Sequence, residues 1–133
     1  MRGERRIVVV DDDPWSRRIV ERLLGQRGHV VEVAVDVPDA RARLADLAGV
    51  ELVLLDINLP GGSGEVLLDE LRVRAPRLPV LAVTASAMAG DRERLLRRGF
   101  TAYFSKPIDV RTFGATVERY LAGGADLTAQ GLP

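Results

Sequence analysis

Short apolar runs alternate with helical patterns along the chain, and the runs lead into polar residues. Five such runs are recognisable, at Ile7–Val10, His29–Val35, Leu52–Leu55, Val80–Val83 and Thr101–Phe104. Near-continuous apolar strands that alternate with amphipathic helices are typical of a parallel sheet covered on both faces. With right-handed crossovers, the pattern predicts an α/β domain with a doubly wound, five-stranded parallel sheet and five helices.

Amphipathic patterns fill the segments between these runs. The clearest extends over Pro14–Gln26, where apolar residues recur at spacings of three and four, with Asp12 or Asp13 as cap. Trp15 is interpreted either as an exposed partner contact or as a packing residue. Four further helices are predicted. The first is capped by Asp36 and ended by Gly49, and the second extends from Ser63 or Gly64 to Arg74. The third covers Asp91–Arg98 or begins as early as Ala87, and the last is capped by Asp109 and ended by Gly123 and Gly124. The segment NLPGGSG predicts a loop.

The length and composition suit one domain with a sizeable core. The chain has 133 residues, of which 47% are apolar, and chains of this size form one compact domain. We expect that domain to span residues 1–122. Residues 123–133 have little to bury and are predicted to form a short mobile tail.

Charge and rare residue types exclude several classes of function. The 19 basic and 19 acidic residues balance, so the totals give no basic footprint for nucleic acid. The chain has no cysteine and one histidine, which excludes disulfides, zinc–thiolate sites and a histidine-rich metal site. That histidine, His29, precedes a strand and is interpreted as structural. The run Ile7–Val10 is too short for a signal peptide or a membrane span, so we expect a cytoplasmic protein without membrane insertion.

Polar residues that follow the strands predict where the chemistry lies. Asp11–Asp13 follow the first strand, Asp56 the third, Thr84 the fourth and Lys106 the fifth. In open α/β sheets, ligands bind beyond the carboxyl ends of the strands. We therefore expect a cluster of carboxylates at one edge of the sheet.

Such a cluster needs a cation, and its donors are oxygens alone. This donor set favours a hard ion, Mg²⁺ or alternatively Mn²⁺. An aspartate beside a divalent ion can act as a nucleophile towards phosphorus and form an aspartyl-phosphate. A neighbouring hydroxyl and ammonium, here Thr84 and Lys106, can then contact the phosphoryl oxygens.

Four motifs resemble the receiver domain of bacterial two-component response regulators. They are VVVDDDP, LVLLDINLPGGSG, VLAVTASAMAG and AYFSKPI, in order and at the expected spacing over Arg6–Ala122. The segment VTASAMAGDRERLLRRGFTAYFSKPI is most similar to the sequences of single-domain regulators and of receivers of hybrid kinases. The resemblance implies a flavodoxin-like fold with strand order 2-1-3-4-5.

The resemblance also implies residue roles at the site. Asp56 is the phosphoacceptor, and Asp11 and Asp12 hold Mg²⁺ together with Asp56 and the backbone carbonyl of Asn58. Thr84 and Lys106 contact the phosphoryl group.

Three further positions take their roles from the same resemblance. Tyr103 matches an aromatic switch position that turns inward when Thr84 moves toward the phosphoryl. The Lys106–Pro107 bond is expected to be cis. Ser86, two residues beyond Thr84, is expected to leave the phosphoryl accessible.

The implied function is a phosphorylation-dependent signalling switch rather than an enzyme, because the domain catalyses only its own phosphorylation and dephosphorylation. Its expected partners are a sensor histidine kinase or histidine phosphotransfer protein as donor and a downstream protein target, with no direct contact to nucleic acid. We expect a monomer or a weak homodimer.

Two alternatives stay open. One is a Mg²⁺-dependent aspartyl-phosphate phosphatase of the haloacid dehalogenase kind. It predicts an Asp-x-Asp-x-Thr motif after the first strand, where this chain has DDDPW. The other is a phosphorylation-independent interaction module. A P-loop nucleotidase is excluded because the chain lacks the G-x-x-x-x-G-K-[ST] motif.

Overall fold

A computed structural model describes residues 5–60, 62–85 and 90–121 of the chain. Within those ranges the strands are β1 (Arg6–Val10), β2 (Val31–Ala34), β3 (Val50–Asp56), β4 (Asn58–Leu59), β5 (Gly62–Ser63), β6 (Val80–Thr84) and β7 (Ala102–Ser105). The helices are α1 (Pro14–Gln26), α2 (Val37–Arg43), α3 (Gly64–Arg74), α4 (Asp91–Arg98) and α5 (Phe113–Leu121).

Five of the strands form one parallel sheet in the order β2-β1-β3-β6-β7. The strands β4 and β5 form a separate antiparallel pair. Without that pair, the order is 2-1-3-4-5, which confirms the predicted doubly wound, flavodoxin-like fold. The order places β3 at the centre of the sheet, with β1 and β6 beside it.

Both faces of the sheet are covered, because successive residues of each central strand point to opposite sides. On one side Val8 and Val10 pack with buried residues of α2, α3 and α4. On the other, Ile7 and Val9 pack with buried residues of α1 and α5. The near-continuous apolar runs in the sequence reflect this two-sided burial.

Capping side chains fix where three helices begin. Asp13 accepts a hydrogen bond from the Trp15 N–H at the start of α1. Asp36 caps α2 and Ser63 caps α3 in the same way. The caps at Asp13 and Asp36 agree with the sequence prediction, and α3 begins at Gly64, one of the two predicted starts. Asp13 therefore caps the helix that starts beside the carboxylate cluster.

The prediction for the second helix was too long. It ends at Arg43 rather than near Gly49. The reason is a contact with α3: the Arg74 guanidinium donates to the carbonyl oxygens of Leu44 and Ala45 at 2.8 and 2.7 Å. These bonds satisfy carbonyls at the helix end, and the buried Leu44 side chain marks the point where the chain turns away.

The last helix begins later than predicted, and the loop after β3 contains strands. The Asp109 carboxylate accepts from the Arg111 N–H, and its main-chain carbonyl accepts from the Phe113 N–H, so Asp109 lies at the start of a turn that leads into α5 at Phe113. The segment NLPGGSG, predicted as a loop, contains the two-residue strands β4 and β5. These strands are too short to leave a periodic pattern in the sequence.

Smaller differences concern exposure and strand length. The second strand covers Val31–Ala34 and not His29–Val35. Trp15 is 68% exposed, so the packing interpretation is wrong. Ser86, the proposed early start of α4 at Ala87, the end of α5 at Gly123 and the predicted tail lie outside the described residues.

His29 and α5 are joined at the end of the sheet where the strands begin. The His29 Nε2 lies 2.8 Å from Glu118 Oε2, and the Arg27 guanidinium lies 2.9 Å from Glu118 Oε1. These contacts tie the end of α1 and the approach to β2 to α5, in keeping with a structural role for His29. None of the described helices has the length and apolar character that a membrane span requires.

Candidate functional site

Four adjacent strands deliver the predicted site residues to one edge of the sheet. Asp11 directly follows β1, Asp56 ends β3, Thr84 ends β6, and Lys106 directly follows β7. The strands are parallel neighbours, so their carboxyl ends meet at the same edge. This geometry explains how residues up to 95 positions apart come into contact.

Three carboxylates gather at this edge. Oxygen atoms of Asp11, Asp12 and Asp56 all lie within 4.8 Å of one another. Asp11 and Asp56 are 4% and 5% exposed, whereas Asp12 faces solvent. The cluster is therefore closed on the protein side and open at Asp12.

The two buried carboxylates are held by the same local device. The Asp13 N–H donates to Asp11 Oδ1 at 2.9 Å, and the Asn58 N–H donates to Asp56 Oδ1 at 3.0 Å. In each case the donor is the main chain two residues on, so the turn after the strand orients the side chain. The other oxygen of each carboxylate, Oδ2, contacts Lys106.

Lys106 brings the one ammonium group into this cluster. Its Nζ lies 3.0 Å from Asp56 Oδ2 and 3.1 Å from Asp11 Oδ2. Burial alone would lower the pKa of Lys106, but the hydrogen bonds from its ammonium to Asp56 and Asp11 raise it above its usual value. Burial raises the pKa of Asp11, against the lowering effects of the Asp13 N–H and of Lys106.

The donor set fits a hard divalent cation. With all groups ionised, three carboxylates face one ammonium, which leaves two negative charges uncompensated in a largely buried site. Clustered carboxylate oxygens suit Mg²⁺, a hard ion that proteins usually bind through one or two carboxylates while it keeps several waters. Asp11, Asp12 and Asp56 would hold the ion. The backbone carbonyl of Asn58, beside Asp56, stays a predicted ligand.

The remaining predicted residues lie around the cluster. Thr84 is 4% exposed, and its main-chain carbonyl accepts from the Lys106 N–H at 2.9 Å. Tyr103 is half-buried on β7 and packs against the core that contains Leu95. The Lys106–Pro107 bond is cis, the form that the resemblance implies.

Two contacts at the site were not foreseen from the sequence. Gly64 packs so closely that a Cβ there would collide with the Asp56 carbonyl oxygen. The Arg17 Nη1 donates to the main-chain carbonyl of Asp11 at 2.9 Å. The glycine-rich loop hinted at a close approach, whereas no pattern in the sequence points to Arg17.

Solvent reaches the cluster through an open depression of about 440 Å³. Its lining is formed by Asp12, Ile57, Asn58, Leu59, Pro60, Gly62 and Ser63. The cluster is therefore open to solvent on the Asp12 side, beside the β4–β5 pair.

The chain matches proteins of one family over most of its length. The family model for the response regulator receiver domain matches residues 7–118. The sensor histidine kinase RcsC of Salmonella typhimurium is 36% identical over 114 residues, which are 86% of this chain and 12% of that protein. The chain thus spans about an eighth of the length of that relative.

Solved structures of receiver domains are similar to this chain in both fold and sequence. The receiver domain of NtrX from Brucella abortus is 34% identical, with a TM-score of 0.79 over 87% of this chain and 98% of that one. A CheY-like receiver domain protein from Methanospirillum hungatei JF-1 is 27% identical, with a TM-score of 0.82 over 93% and 98% of the two chains. The chain therefore belongs to the receiver domains of two-component response regulators.

Proposed function

We propose that this domain accepts a phosphoryl group on Asp56 from a phosphohistidine of a partner protein, in a reaction that requires Mg²⁺. The observation that carries the proposal is the Lys106 ammonium bridging Asp11 and Asp56 within a cluster of three carboxylates. A simple structural ion pair needs one carboxylate, and a second and third negative charge at the same point are costly without a cation.

The chain's own residues position and neutralise the reacting groups. The Asp56 carboxylate attacks phosphorus while the bond from phosphorus to the histidine nitrogen breaks, and that nitrogen keeps the electron pair. The Lys106 ammonium, already paired with Asp56 Oδ2, compensates charge on the phosphoryl oxygens. Mg²⁺, when bound by Asp11, Asp12 and Asp56, supplies further charge neutralisation and orients the phosphoryl group.

The signal is proposed to pass through β6 and β7. The Thr84 hydroxyl donates to a phosphoryl oxygen, which draws the end of β6 toward Asp56. Tyr103 lies on the neighbouring strand and is half-buried, so a shift at Thr84 changes the space open to its ring. Phosphorylation thereby biases an equilibrium between two surface arrangements and changes which protein binds there.

The proposed partners are two classes of protein. The donor is a sensor histidine kinase or a histidine phosphotransfer protein, and the relatives that include sensor kinases support this pairing. The receiver of the signal is a downstream protein. We propose that the domain turns over no substrate other than its own phosphoryl group and works in the cytoplasm as a monomer or weak dimer.

Phosphoramidate, a small donor with a phosphorus–nitrogen bond, tests the proposal. The chain is incubated with it with and without Mg²⁺, and its intact mass is measured. We expect one added phosphoryl with Mg²⁺, and none in Asp56→Asn. Asp36→Asn is the matched control, because Asp36 follows β2 at the same sheet edge and asparagine also caps helices well. Labelling without Mg²⁺, or equal labelling of Asp56→Asn, would contradict the proposal.

A further inference from the structure

Arg17 reaches back from α1 to the strand end that carries the metal ligands. Its Nη1 donates to the carbonyl oxygen of Asp11 at 2.9 Å, across six residues of chain. The contact is partly buried. This carbonyl lies directly after β1, where the chain leaves the sheet and turns into the helix.

The bonded oxygen belongs to the peptide unit that joins Asp11 to Asp12. The peptide unit is planar, so the Asp11 carbonyl oxygen and the Asp12 N and Cα share one plane. A hydrogen bond that fixes the direction of the carbonyl therefore also fixes where the Asp12 Cα lies. The Asp12 carboxylate is carried by this Cα, so its position is restricted as well.

Asp12 depends on this main-chain restraint more than its neighbours do. The Asp11 carboxylate is held by the Asp13 N–H and by Lys106, and the Asp13 carboxylate by the Trp15 N–H and Ser16. The Asp12 side chain makes no hydrogen bond or ion pair to any of the residues that the structure describes. Its place in the cluster is set through the backbone.

We infer that Arg17 is a positioning residue for the metal site, one that fixes the Asp11–Asp12 peptide and so directs the Asp12 carboxylate toward a bound Mg²⁺. This inference rests on the proposed function, since it assumes that the three carboxylates bind Mg²⁺. Residues that orient metal ligands typically change metal affinity by about 10- to 100-fold when they are replaced.

The charge of Arg17 alone predicts the opposite change in Mg²⁺ affinity when Arg17 is replaced, which makes the inference testable. The Arg17 guanidinium is a cation beside a cation site, so its charge opposes Mg²⁺. Removing the charge without any loss of positioning would tighten Mg²⁺ binding. Loss of positioning would weaken Mg²⁺ binding despite the more favourable charge.

The neighbouring Arg18 provides the matched control. It is exposed on the same helix and makes no side-chain hydrogen bond or ion pair within the described ranges. Arg18→Gln therefore makes the same change of charge as Arg17→Gln, one residue away, without removing the contact to Asp11.

Titration of each protein with MgCl₂ in a calorimeter tests the inference. We expect Arg17→Gln to bind Mg²⁺ about tenfold more weakly than Arg18→Gln, or about 1.4 kcal/mol. Arg17→Lys keeps a cationic donor on a long side chain, whereas glutamine is neutral and shorter. Arg17→Lys should therefore bind Mg²⁺ more tightly than Arg17→Gln, although it carries more positive charge. Arg17→Gln that binds Mg²⁺ as tightly as Arg18→Gln, or Arg17→Lys that binds more weakly than Arg17→Gln, would overturn the inference.

A second measurement separates positioning from general damage to the fold. In phosphoramidate labelling, the Mg²⁺ concentration for half-maximal rate should rise about tenfold in Arg17→Gln, while the rate at saturating Mg²⁺ stays close to that of the wild type. A lower plateau with an unchanged half-saturating concentration would contradict a positioning role. If the wild-type chain does not bind Mg²⁺, the proposed function fails. If the wild type binds Mg²⁺ and Arg17→Gln equals Arg18→Gln, only this inference fails.

Discussion

Lys106 and Asp56 are fifty residues apart in the chain, and their Nζ and Oδ2 atoms lie 3.0 Å apart. The same ammonium contacts Asp11 at 3.1 Å. One cation therefore joins carboxylates at the ends of the neighbouring strands β1 and β3 and offsets part of their repulsion. We therefore expect removal of this cation to change both the stability of the chain and its response to Mg²⁺.

Lys106→Gln should destabilise the metal-free chain and increase its response to Mg²⁺. Two nearly buried carboxylates then lack their cation, which we expect to lower the free energy of unfolding by about 1–3 kcal/mol, less than for a fully buried pair because Lys106 keeps some solvent contact. Mg²⁺ then binds a more negative site, so it should raise the melting temperature by more than in the wild type. Thermal unfolding with EDTA and with MgCl₂ measures both effects.

Arg97→Gln is the control for Lys106→Gln. Arg97 is an exposed cation on α4 without an ion pair in the described part of the chain. Its loss should leave the stability and the Mg²⁺ response close to those of the wild type. Equal behaviour of the two variants would mean that Lys106 has no special role in the cluster.

Gly64→Ala should damage the site through the backbone of Asp56. The added Cβ would collide with the Asp56 carbonyl oxygen and press on Leu55, so either α3 or the end of β3 must shift. Overpacking of this kind typically costs about 1–3 kcal/mol. We expect a lower urea midpoint and slower phosphoramidate labelling.

Gly25→Ala is the matched substitution where the structure has room. Nothing lies within 4 Å of a Cβ at Gly25, which is inside α1. Alanine is the better helix former there by about 0.5–1 kcal/mol, so this variant should be at least as stable as the wild type. Equal stability of Gly64→Ala and Gly25→Ala would contradict the close approach of Gly64 to the Asp56 carbonyl oxygen.

Glu118 gives the stability a pH dependence at the far end of the sheet. Hydrogen bonds from Arg27 and then from His29 lower the pKa of Glu118 to about 2. A carboxylate with a lowered folded-state pKa adds stability that is fully present above its unfolded pKa, near 4.5. That stability is lost as the pH falls from there through about 2.

Glu118→Gln removes this contribution, so the variant should be less stable than the wild type at pH 6, and the gap should narrow as the pH falls below about 4.5. Urea unfolding at several pH values measures the gap. Glu21→Gln is the control, because Glu21 is exposed on α1 and has no partner among the described residues. A gap that stays constant from pH 6 to pH 3, or one shared by Glu21→Gln, would contradict the assignment.

The strands were predictable because each central strand is buried on both faces. Runs such as Leu52–Leu55 then contain apolar residues at every position, and the polar residue that ends each run marks the functional edge. The carboxylate cluster followed from that alternation and from the parallel direction of the strands. The order of the strands came from the family resemblance, since nothing in the periodicity of a single strand specifies its neighbours.

Hydrogen bonds from long side chains to the main chain of other elements were not predictable. Arg74 of α3 donates to the Leu44 carbonyl just beyond the end of α2, and Arg17 of α1 donates to the Asp11 carbonyl. Such contacts arise only once the helices are packed, because an arginine can reach many positions and its sequence neighbours do not restrict it. The β4–β5 hairpin was missed for a local reason, as two-residue strands have no alternation to detect.

The location of the phosphoryl group tests the central claim most directly. The chain is incubated with acetyl phosphate and Mg²⁺, reduced with borohydride to convert the acyl phosphate into an alcohol, and digested, and the altered residue is identified by mass spectrometry. The account predicts one altered residue, Asp56, only when Mg²⁺ is present. Modification at Asp11 or Asp12 instead, or modification of Asp56 at the same rate with EDTA, would contradict it.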